Sequence, residues 1–144
     1  MMVEATAGRA ASNAANCSSK SAGVASAALV VTIDTTAPAS LASRTLDLTA
    51  ASDSGMSAGD DVTNVAAPVV TVSSLNGVAM AVGDVIQIID TSNANAVVGA
   101  HTVVAGDLSG GVWSGTTQDI TLSALSDGTH ALAVRLADLA GNTG

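Results

Sequence analysis

The chain has 144 residues, with twelve Asp or Glu against four Lys or Arg, so its formal net charge is −8. This excess of negative charge argues against nucleic acid and anionic membranes as partners, because binding to phosphate requires clustered Lys and Arg. The length fits one domain, and with no Phe or Tyr and a single Trp the core must consist of Val, Leu, Ile and Ala. No apolar run approaches the ~20 residues of a membrane-spanning helix, so we expect no membrane insertion.

The first segment, residues 1–26, is rich in Ala, Ser, Asn and Gly and has no hydrophobic periodicity. This composition predicts a low-complexity N-terminal arm. Cys17 is the single cysteine of the chain, so a disulfide within the chain is impossible. Its thiol is either incidental or a cross-link between neighbouring chains.

The next segment, residues 27–38, predicts a strand and the linker that follows it. Leu29, Val31 and Ile33 alternate on one face of an extended chain, and β-branched residues are concentrated here. Pro38 ends the strand because it cannot donate to a ladder. The strand comes before a set of further strands that already resembles a domain, so we expect it to be detached from that domain.

Residues 39–144 show short apolar runs separated by turn signals such as Asn76-Gly77 and Ser126-Asp127-Gly128. Short strands at intervals of about 8 to 12 residues predict an all-β fold, an antiparallel β-sandwich. In the last strand, Leu132, Val134 and Leu136 share one face. The predicted strands are 46–50, 69–73, 85–89, 97–105, 112–114, 119–122 and 130–136.

Several motifs resemble the bacterial Ig-like repeats of large surface adhesins. These motifs are LVVTIDTTAP, SDSGMSAGDDVTN (52–64), AAP (66–68), VGDVIQIID (82–90), GVWSG (111–115) and LSALSDGTHALAVRLADLAGN (122–142). In tandem arrays of that family, a segment like LVVTIDTTAP ends one repeat and leads into the next. The resemblance therefore implies an extracellular or cell-surface protein in which residues 39–144 form an Ig-like β-sandwich without its last strand.

A sandwich without its last strand exposes an apolar groove and an unpaired sheet edge, which is a liability unless another strand covers it. Closure within the chain is possible only if the connector 34–45 is taut, because its twelve residues reach at most ~40 Å, about the length of such a domain. Donation of the N-terminal strand to the next copy requires no stretching, so we expect copies to assemble head-to-tail into a filament. The expected donor residues are Leu29, Val31 and Ile33, and the expected acceptor residues are Leu132, Val134 and Leu136.

Aspartates in turns are the main candidates for binding an ion, since Ca²⁺ takes about six to eight oxygen ligands. The resemblance implies that these residues meet at the pole where repeats join and that calcium stiffens the joint. No stretch has the spacing of an EF-hand, and ordinary solvated turn aspartates are the competing interpretation. The candidate ligands are Asp34, Asp53, Asp60, Asp61, Asn64, Asp138 and Asn142.

Trp113 is the single large aromatic residue, and we expect it to fill the core between two sheets. A sugar-stacking platform is the alternative, but it calls for a second exposed aromatic side chain. His101 and His130 have no neighbours in the sequence that would complete a metal or catalytic site, so we expect surface or cross-strand histidines and no enzyme. A calcium-stiffened adhesin spacer and a carbohydrate-binding accessory module remain as alternatives to the filament subunit.

Overall fold

A computed structural model describes residues 25–144 of the chain, so Cys17 and most of the predicted arm lie outside the described residues. Ile33–Gly144 forms one compact unit. The predicted strand in residues 27–33 is wrong for the single chain, because no residue from 25 to 41 belongs to a strand. Leu29 and Ile33 are both 85% exposed. The alternating pattern is present, but nothing in the described part of the chain completes a ladder with it.

The folded unit contains eight strands and one short 3-10 turn, Ala105–Asp107. Short runs rich in Val, Ile and Leu produce most of them, and seven of the strands have ends close to the predicted ones. The two-residue strand Leu108–Ser109 was not predicted. The predicted strand 97–105 ends earlier than expected, because the chain turns at its carboxyl end. The strands are β1 (Thr45–Leu48), β2 (Val69–Ser73), β3 (Val85–Asp90), β4 (Ala96–Thr102), β5 (Leu108–Ser109), β6 (Val112–Trp113), β7 (Thr117–Thr121) and β8 (Leu132–Ala137).

The strands form two three-stranded antiparallel sheets and a small hairpin of β5 and β6. One sheet has the order β1-β2-β7 and the other has the order β4-β3-β8. Consecutive strands β2 and β3 therefore belong to different sheets, so the Asn76-Gly77 turn, in which Gly77 has φ +77°, lies in a crossing loop. This arrangement confirms the predicted all-β, Ig-like antiparallel sandwich.

The core lies between the two sheets and is built from Val, Leu and Ile side chains, together with Met80, which the composition did not predict, and one indole. Val70 and Val72 of β2 face Ile86 and Ile88 of β3, and all four are at most 2% exposed. Gly99 of β4 allows the sheets to approach, since a Cβ there would lie 2.6 Å from a methyl carbon of Leu122. β4 lies beside β7 on this side of the sandwich, and β1 lies beside β8 on the other.

Strand β8 forms an edge of its sheet. Its neighbour β3 pairs with it from Val85 opposite Ala137 to Asp90 opposite Leu132. After β8 the chain turns, and Thr143 forms an isolated antiparallel bridge with Ala137. The amide of Gly144 donates to the carbonyl of Leu136 over 3.0 Å. The turn thus directs the chain back along the free edge of β8.

Candidate functional site: an open groove and two acidic clusters

A groove of about 650 Å³ opens between β1 and the start of β8. We call it the acceptor groove. Its floor is apolar and its rim is polar, and several of its side chains are only partly buried. The floor residues are Leu46, Leu48, Pro68, Val70, Leu125 and Leu132, and the rim includes Asp47, Asp60, Asp61, Thr63, Thr129 and His130.

The three predicted acceptor residues lie on the inner face of β8 but differ in exposure. Leu136 is fully buried in the core, whereas Leu132 and Val134 are half-buried and pack against the core from its edge. Leu132 lines the acceptor groove. On the outer face, Arg135 donates from Nε to Oε1 of Gln87 on β3 over 2.8 Å. The face assignment made from the alternating pattern matches this arrangement.

His130 lies on the rim of the acceptor groove and has a partner that sequence analysis missed. Its Nδ1 lies 2.7 Å from Oδ2 of Asp90, whose side chain is 1% exposed, and its Nε2 lies 2.9 Å from the carbonyl oxygen of Ser126. Hydrogen bonds from Ser92 and His130 lower the pKa of Asp90. The two residues are 40 positions apart, and only the antiparallel register of β3 and β8 brings them together.

Trp113 is 3% exposed and belongs to the core. It therefore offers no face on which a sugar could stack. The ring of His101 meets its indole edge-on, with centroids 5.7 Å apart and an angle of 82° between the planes. Nε2 of His101 lies 2.9 Å from Oδ2 of Asp107, the last residue of the 3-10 turn. Hydrogen bonds from the Val104 amide and from His101 lower the pKa of Asp107.

The candidate calcium ligands do not meet at one place within the chain. Asp138 and Asn142 lie in the turn after β8, at the end of the sandwich where the β2–β3 loop lies. The two segments are in contact there, since a Cβ at Gly83 of the β2–β3 loop would touch Leu139 of the turn. The loop between β1 and β2 lies at the opposite end, since β1 runs away from the connector. The separation is roughly the length of a six-residue strand, about 20 Å. The loop group consists of Asp53, Asp60, Asp61 and Asn64.

At the connector end, Asn142 joins the other two candidates. Its Nδ2 donates to Oδ2 of Asp138 over 2.8 Å and to the backbone carbonyl of Asp34 over 3.1 Å. Asp138 also accepts from the amides of Ala140 and Asn142, and these hydrogen bonds, led by that of the Asn142 side chain, lower the pKa of its carboxyl. Oδ1 of Asp34 accepts from the amide of Thr36. Donors of the chain itself therefore already engage these oxygens.

In the β1–β2 loop, Asp53 is 7% exposed and its Oδ1 has no hydrogen-bond partner. Burial raises the pKa of the Asp53 carboxyl, and the carboxylates of Asp60, Asp61 and Asp47 raise it further. Asp60 and Asp61 are exposed, and each accepts from a backbone amide, of Val62 and Leu48 respectively. The loop thus concentrates negative charge around a buried carboxylate.

Asn64, the remaining candidate, uses its Oδ1 to accept from the Ser54 hydroxyl over 2.8 Å. Within residues 25–144, no three His, Cys, Asp or Glu side chains are already arranged to hold a metal ion. Calcium binding therefore stays a prediction.

The family model for the bacterial Ig-like domain matches residues 40–144. The chain belongs to the bacterial Ig-like domain family. Two further comparisons, with curated proteins and with solved structures, gave no match. Bacterial Ig-like domains commonly occur in surface proteins, and the family is typically non-catalytic. In the described part of this Ig-like chain, no helix has the length and apolar character needed to cross a membrane.

Proposed function

We propose that this Ig-like chain is a structural unit of a bacterial surface protein that accepts a β-strand from a neighbouring unit along the free edge of β8. The observation that carries the proposal is the acceptor groove itself, since it opens beside an edge strand and exposes half-buried Leu132. A strand laid there would pair with the free backbone groups of β8 and cover the apolar floor.

The chain carries a segment of the right chemistry for this groove. Leu29, Val31 and Ile33 alternate along it and are 85%, 67% and 85% exposed. Alternate residues of a strand point to one face, so all three can enter an apolar groove together. The main-chain bonds would supply affinity, and these side chains would supply the fit.

The connector favours donation to a neighbour over closure within the chain. A strand that continues the hairpin begun at Gly144 runs antiparallel to β8, so it would end at the far end of the sandwich, beside the β1–β2 loop. Asp34, which follows the donor residues directly, instead contacts Asn142 at the connector end. Antiparallel closure within one molecule would have to break this contact and stretch the connector. A head-to-tail contact between copies that does not close into a ring propagates as a filament.

A rearranged chain tests the acceptor edge. Residues 27–36 are removed from their natural position and placed after Gly144, where the hairpin directs the chain along β8. We expect this variant to be monomeric and to melt at a higher temperature than the natural chain, because its own strand fills the groove. We expect the natural chain to associate as its concentration rises, measured by sedimentation velocity. An unchanged melting temperature in the rearranged chain would contradict the proposal.

The source of the strand is tested separately. If the natural chain stays monomeric at all concentrations but a synthetic peptide of residues 27–34 still raises its melting temperature, the acceptor edge is retained and assembly between copies is refuted. If neither association nor peptide binding is detected, strand acceptance itself is refuted.

A divalent cation at the β1–β2 loop is a second candidate function, matching a calcium-stiffened spacer. Asp53 supports it, because a buried carboxylate oxygen without a hydrogen-bond donor is a group that a cation would satisfy. Asp60 and Asp61 would have to move to complete the ligand set. We expect 1 mM Ca²⁺ to raise the melting temperature relative to EDTA in the natural chain and in Asp34→Asn, but not in Asp53→Asn. No response in the natural chain would exclude this function.

A further inference from the structure

The imidazole of His130 lies between two oxygen atoms that can only accept hydrogen bonds. Nδ1 faces the Asp90 carboxylate at 2.7 Å and Nε2 faces the Ser126 carbonyl at 2.9 Å. A neutral imidazole carries one N–H and can donate to one of them, whereas the imidazolium form donates to both. The geometry therefore fits the protonated ring, and loss of its proton would place a nitrogen lone pair against an oxygen lone pair.

These two hydrogen bonds join separate parts of the fold. Asp90 ends β3 and is a fixed anchor, because it is buried and also accepts from the amide and hydroxyl of Ser92. Ser126 is an exposed residue of the segment between β7 and β8, residues 122–131, which we call the groove loop. Leu125 and Thr129 of this loop line the acceptor groove. His130 thus fastens one wall of the groove to the central strand of its sheet.

The charged groups around His130 are all acidic. Asp90 lies on β3, Asp47 on β1, Asp60 and Asp61 on the β1–β2 loop across the groove, and Asp127 on the groove loop itself. No Lys or Arg lines the two cavities that His130 borders in the described structure. The side chain is 21% exposed, so protons reach it from solvent.

We propose that the protonation state of His130 regulates the acceptor groove. The imidazolium fastens the groove loop to β3 and keeps the groove in the shape that receives a strand. Deprotonation releases the loop at Ser126 and weakens strand binding. The fastening of the loop stands on the geometry alone, whereas its effect on strand binding rests on the proposed function.

The direction of the pH dependence follows from the surroundings of the ring. The hydrogen bond to Asp90, and then that to the Ser126 carbonyl, raise the pKa of His130 above its ordinary value, with burial acting in the opposite direction. We call the two hydrogen bonds of the protonated His130 ring the clamp. Because the pKa of His130 is raised in the folded state, the clamp is complete below the ordinary histidine pKa of about 6.5. It is lost as the pH rises through the pKa of His130 in the folded chain. The groove loop is therefore held below the ordinary histidine value and released once the pH exceeds the raised pKa of His130.

Hydrogen exchange and NMR on the full chain test the clamp. We expect amide exchange of residues 122–131, corrected for the intrinsic effect of pH, to become roughly three- to tenfold faster as His130 deprotonates, the factor for about one hydrogen bond. His130→Gln should show the faster exchange at every pH. His101→Gln, which removes the other imidazole, should keep the natural pH dependence. Constant loop protection across the titration of His130, or a measured His130 pKa at or below about 6.5, would overturn the clamp.

Binding of a synthetic peptide of residues 27–34 to the full chain tests the regulatory step. We expect roughly three- to tenfold tighter binding at pH 6 than at pH 8.5, and the same affinity at both values in His130→Gln. Binding that is equally tight at both pH values in the natural chain overturns the regulation while leaving strand acceptance intact. Absence of binding at every pH overturns both strand acceptance and its regulation. The hydrogen-exchange experiment still tests the clamp, because that experiment does not depend on peptide binding.

Discussion

Replacement of Leu29 by Ala tests strand donation against a neighbouring control. Leu29 and Val30 are adjacent and almost equally exposed, at 85% and 87%, so neither stabilises the single chain through burial. In a strand laid along β8, Leu29 would point inward on the same face as Val31 and Ile33, and Val30 would point outward. The two truncations therefore differ only if the segment binds as a strand in the predicted orientation.

The size of the effect follows from the carbon atoms that leave the groove. Leu29→Ala removes three carbon atoms from a site that would be buried in the assembly, and at about 0.8 kcal/mol per buried methylene this amounts to about 2.4 kcal/mol of association free energy. The dissociation constant should then rise about 50-fold, because about 1.4 kcal/mol corresponds to a factor of ten. Val30→Ala should change it by less than about threefold.

Sedimentation velocity over a range of concentrations measures both dissociation constants, and circular dichroism checks that both variants keep the fold. Equal weakening in Leu29→Ala and Val30→Ala would refute the orientation and with it the alternating fit. No weakening in either would show that the segment does not enter the groove.

Three further substitutions test the sandwich. Gly99→Ala should lower the free energy of unfolding in urea by about 1 to 3 kcal/mol, because the new Cβ would overlap Leu122. Gly106→Ala is the matched control, since a Cβ there meets nothing within 4 Å. Trp113→Ala should cost about 3 to 5 kcal/mol in the same assay, and a smaller loss would mean that the core collapses onto the vacated volume. Asp53→Asn should raise the melting temperature at pH 7 in EDTA. The pKa of Asp53 is raised in the folded state, so its ionisation destabilises the fold as pH rises from the unfolded value through the folded one. A lower melting temperature would contradict that sign.

The sequence was informative wherever local alternation coincided with a partner strand. Residues 69–73 and 85–89 are short runs rich in Val and Ile, and both form strands that pair on two sides. Residues 27–33 have the same character but form no strand in the single chain, because a ladder needs a second edge that the local pattern cannot supply. Alternation predicts that a segment can pair, and the tertiary arrangement decides whether it does.

The site was less accessible to sequence analysis. The expectation that Asp34, Asp53 and Asp138 meet came from the family resemblance, whereas in one chain each passage along a strand moves the backbone to the other end of the sandwich. The β1–β2 loop and the turn after β8 are therefore at opposite ends. The pair of Asp90 and His130 depends on the register of two strands. No local pattern in the sequence records that register.

The contact between Asn142 and Asp34 also determines how the unit would respond to mechanical tension. A pull on the chain before Asp34 reaches the folded unit first at this hydrogen bond, and a side chain at position 144 would overlap the Pro38 and Ala39 carbonyls, so the connector is closely packed there. The force would then act on the turn after β8 before it could separate β1 from β2. The side-chain amide of Asn142 would therefore be the first contact that the connector loses when the chain is pulled.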